Sequence, residues 1–214
     1  GQLNNLTLFV NQSGAGRLAN VSNGSAILNN SVNSVTLASG EGLANRSVSW
    51  LVEACDVAGN CANSSARVVH GDTALPSVTL NAPANGFWSG NASGLVTFYV
   101  TPSEQVFGIL RNVSLFINVS SAGRVFNESN ESAVSNGSVA SISLNAGMGV
   151  VNGSRSWLFE ACDEASNCVN SSARVVHGDT AVPSVSLNAP GDNAFNGNVS
   201  GLVTFYATPS EQVF

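Results

Sequence analysis

The sequence predicts an all-β protein built of tandem Greek-key β-sandwiches, and three observations carry that prediction. Apolar residues alternate with polar ones in short runs bounded by Gly, Asn, Asp, Ser and Pro, and no stretch shows a persuasive helical period. Seven or so such runs fall within about 100 residues, the density of a two-sheet sandwich. The pattern then recurs. The segment Ala54 to Cys61 returns as Ala161 to Cys168, and sliding the chain against itself by 107 residues, half of its 214, needs no gap. That period exceeds helical solenoid repeats of roughly 20–50 residues and matches one domain of roughly 100–150, so each copy should own a core.

Taken in order, Asn5 to Asn11 places Leu6, Leu8 and Val10 on one strand face and both sequon asparagines on the other, so sugars there would point outward. Val113, Leu115 and Ile117 repeat it. A polar stretch from about Gly14 to Ser31 reads as an irregular edge, and Val35 and Leu37 suggest another strand. Ser47 to Ala54 is the clearest strand, with Val48, Trp50, Val52 and Ala54 inward, repeated by Trp157, Phe159 and Ala161. Asp56 to Asn60 turns the chain and Ala66 to His70 returns as the hairpin partner. His70 to Pro76, copied at His177 to Pro183, is an extended connector, because proline fixes its own φ and biases the preceding residue to extended geometry. Two strands follow, one carrying Val78 and Leu80, the other Val96, Phe98 and Val100.

Charged residues are 9% of the chain, far below the roughly 25% of an ordinary soluble domain, and Asn, Ser, Thr and Gly supply the polarity instead. All seven basic residues are Arg and the net charge is -6. Without clustered cations, neither nucleic acid nor an anionic membrane surface is an expected partner. No apolar run approaches the roughly 20 residues of a membrane span, and Gly1 opens no signal-peptide pattern, so any export signal or anchor is expected outside this chain.

Asn-X-Ser/Thr sequons occur at Asn5, Asn11, Asn20, Asn23, Asn29, Asn45, Asn63 and Asn91, and in register at Asn112, Asn118, Asn127, Asn130, Asn136, Asn152, Asn170 and Asn198. One sequon in an Asn- and Ser-rich chain is weak; sixteen in register predict N-linked glycans, although duplication also copies accidents. Glycans imply export to the cell surface or beyond, and sugar at Asn20, Asn23 and Asn29 would block edge-to-edge pairing.

Cys55 with Cys61, and Cys162 with Cys168, each bracket a five-residue turn. A metal or redox pair is one reading. A disulfide across the hairpin is the favoured one, since four thiolates over two domains make no plausible zinc site, no Cys-X-X-Cys is present, and an oxidising compartment agrees with export. Asp56 and Asp163 should organise the turns, and Glu53 and Glu160 should lie solvated on an outer face. His70 with Asp72, and His177 with Asp179, read as a polar joint, with a cation site the less favoured alternative. No catalytic set is visible, and no enzyme activity, metal or cofactor is expected. The absence of lysine excludes Lys-Asn isopeptide crosslinks.

Trp-X-Val/Phe before Asp-X-Ala-Gly/Ser-Asn, followed by Asp-Thr-X-X-Pro-Ser-Val-X-Leu-Asn-X-Pro, resembles the tandem immunoglobulin-like domains of large archaeal and bacterial cell-surface proteins. The resemblance covers nearly the whole chain and implies an immunoglobulin-like fold. In that family a domain begins at the Asp-Thr-X-X-Pro connector. Residues 1–71 would then be the later strands of one domain, 72–178 a complete domain, and 179–214 the opening strands of a third. Relatives often carry an inter-sheet disulfide with one cysteine four residues after the Trp; here that position is Ala54 or Ala161 and the strand taken as its partner offers Leu6 or Val113. The cysteine has moved one residue on, which switches strand faces, so Cys55 should point away from the core.

The phasing leaves two complementary part-domains, so the expected partner is another copy, joined head to tail. The units are either periods of one long polypeptide or separate subunits exchanging strands; Phe214 running into Gly1 as Phe107 runs into Gly108 favours the former. The function expected is an extracellular, glycosylated structural filament or stalk. The alternative is a cell-surface adhesin, for which Phe87 and Trp88, in the loop before Asn91, are candidate binding aromatics.

Overall fold

The computed structural model describes residues 2–12, 16–23, 27–37, 42–91, 93–119, 124–130, 134–144 and 149–211, and among them there is no helix. The strands are β1 (Leu3–Gln12), β2 (Gly16–Asn23), β3 (Arg46–Asp56), β4 (Cys61–Asn63), β5 (Arg67–Gly71), β6 (Ser77–Ala82), β7 (Phe87–Ser89), β8 (Thr97–Ser103), β9 (Leu110–Val119), β10 (Arg124–Asn130), β11 (Ala140–Ser143), β12 (Gly153–Asp163), β13 (Cys168–Asn170), β14 (Arg174–Gly178), β15 (Ser184–Ala189) and β16 (Tyr206–Ser210). The chain divides into two units. Unit 1 holds Gly1–Ser77, Ser103–Arg111 and Cys162–Val169; unit 2 holds Val78–Pro102, Asn112–Ala161 and Asn170–Phe214.

Unit 2 contains a two-sheet sandwich. One sheet has the order β10-β9-β12-β14-β7, with β13 also on β12, and the other is β11-β8-β6. The chain crosses between sheets from β8 to β9, back from β10 to β11, and again from β11 to β12, which is the Greek-key connectivity expected. Alternation builds the core from β12, where Trp157, Phe159 and Ala161 are buried while Leu158, Glu160 and Cys162 are only half-buried. Phe98 of β8 meets Trp157 across the sandwich in an edge-to-face contact at 4.9 Å, and Trp157 meets Phe159 at 6.1 Å. Val100, Val113, Leu115, Ile142, Val150 and Val176 close around them. Such rings stabilise the core by burial and by their quadrupole geometry.

The N-terminal segment of unit 1 forms, among the described residues, a five-stranded sheet, β2-β1-β3-β4 with β5 beside β3. β3 pairs along β1 with Val10 opposite Trp50, and along β5 with Trp50 opposite Arg67. Its core is small: Val10 and Val48 are buried, with Leu8, Leu37, Leu43 and Trp50 packed against them. β15 and β16 pair only with each other among the described strands, and nearly all their residues are exposed.

Several elements depart from the sequence reading. The stretch taken as an irregular edge contains a regular strand, β2, in register with β1 from Leu6 opposite Asn23 to Gln12 opposite Gly16. An edge strand needs a ladder partner more than an apolar face, so its composition hid it. Val35 and Leu37 form no strand, whereas their counterparts Ile142 and Leu144 lie within β11 and directly after it, a strand that pairs with β8. Phe87 and Trp88 are not in a loop but in β7, parallel to β14. The outward face of the first strand is partly covered: Thr7, Ser114 and Phe116 are buried. Leu6 lies directly opposite Ala54 in one sheet, so these positions could never have bridged two sheets.

Candidate assembly surfaces

The hairpin turn is built by its aspartate. The Asp56 carboxylate accepts from the backbone N–H of Ala58 and of Asn60, each at 2.9 Å, and from the Asn60 side-chain amide at 2.9 Å. Gly59 takes φ 85°, a left-handed conformation open to glycine. Asp163 does the same with the Asn167 backbone and side chain, both at 2.8 Å, and Ser166 takes the glycine's place at φ 71°. Cys55 lies directly opposite Cys61 and is bonded to it, as Cys162 is to Cys168. Cys162 is half-buried between buried Ala161 and Asp163, which places it on the face away from the core. Glu53 lies with Cys55 and Cys61 within 4.8 Å, but both sulfurs are committed to the disulfide, leaving one carboxylate and no ligand set there.

Two measurements test this turn. The hydrogen bonds from Asn60, side chain first and then backbone, hold the Asp56 pKa below its ordinary value. The turn's stabilisation is therefore complete above the unfolded carboxylate pKa of about 3.9 and disappears as pH falls through the lower folded value. The Asn60 amide resonance should titrate with a midpoint below that of a free Asp. Closing a loop with a sequence separation of 6 stabilises by about 2 kcal/mol in the chain-entropy model. Replacing both Cys162 and Cys168 by Ser should cost about that much in denaturant melts and leave the spectroscopic signature of the Trp157 core unchanged.

The connectors are held by a repeated set of polar contacts. Asn45, at φ 55°, accepts through Oδ1 from the Thr73 N–H at 2.8 Å and its hydroxyl at 3.1 Å. Asn152, at φ 44°, accepts from Thr180 at 2.8 and 2.7 Å. Ser47 is hydrogen-bonded to His70 Nδ1 and Ser154 to His177 Nδ1, at 2.5 and 2.6 Å. Asp72 and Asp179 instead accept from the backbone N–H of Ala74 and Ala181. Each histidine and its aspartate are thus engaged separately, by groups that hold the connector's shape.

The sequon asparagines with described side chains are mostly at the surface. Asn29, Asn45, Asn63, Asn91, Asn136, Asn152, Asn170 and Asn198 are exposed, and Asn5 and Asn112 are half-buried. The side chains of Asn11, Asn20, Asn23, Asn118, Asn127 and Asn130 lie outside the described set. At Asn45 and Asn152 the connector bonds use only Oδ1, leaving the amide nitrogen that a glycan would occupy.

The two copies differ sharply in burial at equivalent positions. Leu80 is 9% exposed and its counterpart Leu187 86%; Phe98 is 0% and Phe205 77%; Val96 is 7% and Val203 39%. The opposite asymmetry runs through the other strands. Val176 is fully buried and Val69 37% exposed, while Trp157 and Phe159 are buried and Trp50 and Val52 half-buried. Among the described strands, the sheet of unit 1 pairs with none at the places that β6, β7 and β8 take in unit 2, and β15 and β16, whose apolar side chains are exposed, pair only with each other.

No family model matches the chain, and no curated protein matches it. Among solved structures it is similar to fibronectin(III)-like modules of Clostridium thermocellum CbhA, at 14% identity over 81% of this chain and 78% of that one, with a TM-score of 0.39. It is also similar to a Ca2+-stabilized adhesin that helps an Antarctic bacterium reach out and bind ice, at 18% identity over 90% of this chain and 45% of that one, TM-score 0.40. A third is a tetra-tandem repeat in the extending region of a large adhesion protein, at 14% identity over 97% of this chain and 56% of that one, TM-score 0.38. The chain spans about half the length of the latter two.

Proposed function

We propose that this chain is a structural repeat module of an extracellular, N-glycosylated filament or stalk, in which copies join head to tail by completing one another's sandwiches. The observation that carries the reading is the paired asymmetry of burial: Leu187 and Phe205 are exposed where Leu80 and Phe98 are core, and Val69 and Trp50 are more open than Val176 and Trp157. In this reading residues 72–178 are one complete domain, 1–71 await the opening strands of a domain, and 179–214 supply them. Burying each large apolar side chain contributes about 1.5–3 kcal/mol. Several together, with new backbone ladders, offset an association cost of about 4–15 kcal/mol. The donated hairpin acts as strand addition with side chains entering a waiting core, and the heterologous contact propagates into a fibre. Whether copies follow one another in one polypeptide or as separate subunits, the interface is the same. Two hairpin disulfides fit an oxidising, extracellular setting, and the exposed sequons fit a sugar coat.

Sedimentation and electron microscopy of the 214-residue chain test the reading. Concentration-dependent linear oligomers are expected; a compact monomer at every concentration would sink it. Glycopeptide mass analysis of the native material, with most sequons occupied, tests the sugar coat.

A further inference from the structure

Resting on that head-to-tail reading, we infer the register of the junction and the residues that lock it. Residues 194–196 of one copy add, in the next copy, to the edge of β5 that no described strand pairs, as a parallel strand with Ala194 opposite Val69, Phe195 opposite His70 and Asn196 opposite Gly71. An arginine fork and a glycine contact specify the fit.

The template is inside unit 2. There β7 runs parallel to β14 with Phe87 opposite Val176, Trp88 opposite His177 and Ser89 opposite Gly178. Trp88 stacks on the His177 ring at 4.5 Å and 22°. Arg174 spans the two sheets, donating to the Pro83 carbonyl at 2.9 Å and the Leu80 carbonyl at 3.0 Å while lying 5.8 Å over the Trp157 ring. The turn before β7 is tied to β14 as well: Val175 N–H donates to Asn85 Oδ1 and Gly86 N–H to the Val175 carbonyl, both at 2.8 Å.

Each half of this arrangement recurs, separately, elsewhere in the chain. Arg67 stands opposite Trp50 on β5 as Arg174 stands opposite Trp157 on β14, but Arg67 is exposed. His70 keeps its serine and an edge contact to Phe107, and is exposed where His177 is half-buried under Trp88. The complementary pieces lie one repeat on. Phe195, in Trp88's place, is 102% exposed. Asp192 replaces Asn85 and retains a side-chain oxygen that would accept from the Val68 N–H. Asn193 replaces Gly86 and keeps its left-handed turn, φ 57° against 76°. Arg67 is then placed to donate to the Leu187 and Pro190 carbonyls of the incoming copy.

The glycine contact is the sharper determinant. A Cβ on Gly149 would lie 2.5 Å from the Gly94 carbonyl carbon, so those two backbones touch with no room for a side chain. Their counterparts are Gly42 and Gly201, and a Cβ on either meets nothing within 4 Å. Gly42 is therefore free to vary in the isolated chain, and becomes sterically closed when Gly201 of another copy docks.

The test separates the register from the assembly itself. G42A and R67M should each fold as the parent does, judged by melting and disulfide mapping, yet lose at least about tenfold in association measured by sedimentation. H70C combined with F195C should form an intermolecular disulfide found by peptide mapping, whereas H70C with G197C should not. If the parent assembles while G42A and R67M assemble equally well, or the 70–195 pair fails to link, this register is wrong and strand supply stands. A parent that never associates overturns both. An intrachain 70–195 bond in a monomer overturns the intermolecular junction.

Discussion

Phe98→Ala should lower the stability of unit 2 by about 3–5 kcal/mol, the usual cost of emptying a buried aromatic site, whereas Phe205→Ala should leave the melting of the dilute chain unchanged. The two residues are the same position one repeat apart, and only their surroundings differ: Phe98 is fully buried against Trp157 and Phe205 is 77% exposed. In the assembled state the order reverses in consequence. Phe205→Ala should weaken head-to-tail association by roughly one to two orders of magnitude, taking about 1.5–3 kcal/mol for one large side chain that fails to reach a core and about 1.4 kcal/mol per factor of ten. Denaturant melts at low concentration read the first effect and sedimentation reads the second. Equal destabilisation of the dilute chain by both substitutions would mean that the hairpin is already packed, and would remove the basis for strand supply.

Gly178→Ala and Gly71→Ala, by contrast, should both unfold their own neighbourhoods without any partner. An added Cβ at Gly178 would sit 1.8 Å from the Val150 carbonyl oxygen, and at Gly71 1.9 Å from the Leu43 carbonyl oxygen. Neither obstacle is a flexible side-chain tip, so the β14 and β5 ends must move away from the preceding loop. Overpacking typically costs about 1–3 kcal/mol, and a backbone obstacle places these at or above the top of that range, about 3 kcal/mol or more. Hydrogen exchange at the ends of β5 and β14, with melting curves, measures the loss. Its equality in the two copies would separate contacts intrinsic to each repeat from those, like that of Phe205, that require a neighbour.

The hairpin of β3, β4 and β5 shows what local chemistry makes readable. Trp50 and Val48 alternate with polar residues, Asp56 and Gly59 demand a turn, and Cys55 and Cys61 sit equidistant from it, so strand, turn, return and disulfide all follow from neighbours in sequence. β2 is not legible in the sequence because its support is the β1 backbone ladder, to which its polar composition gives no clue. β7 is three residues long and owes its form to β14, some 90 residues away. The pair formed by 33–36 and β11 is the clearest case. Similar residues are strand only where β8 offers a ladder, and local propensity is too weak to decide between them.

By itself the sequence determined the all-β class, the 107-residue repeat, the inward positions of Trp157 and Phe159, the Asp56 turn and the register of sequons, because each depends on spacing within a few residues or on direct self-comparison. Tertiary structure alone decided that Thr7 and Phe116 are covered, that Trp88 stacks on His177, and that one repeat's Phe98 is core while the other's Phe205 is open. Alternation specifies that a face is apolar; burial of that face depends on a second sheet brought against it by contacts far apart in the chain. Two closely similar repeats therefore differ in burial, with Leu187 and Phe205 exposed where Leu80 and Phe98 are core.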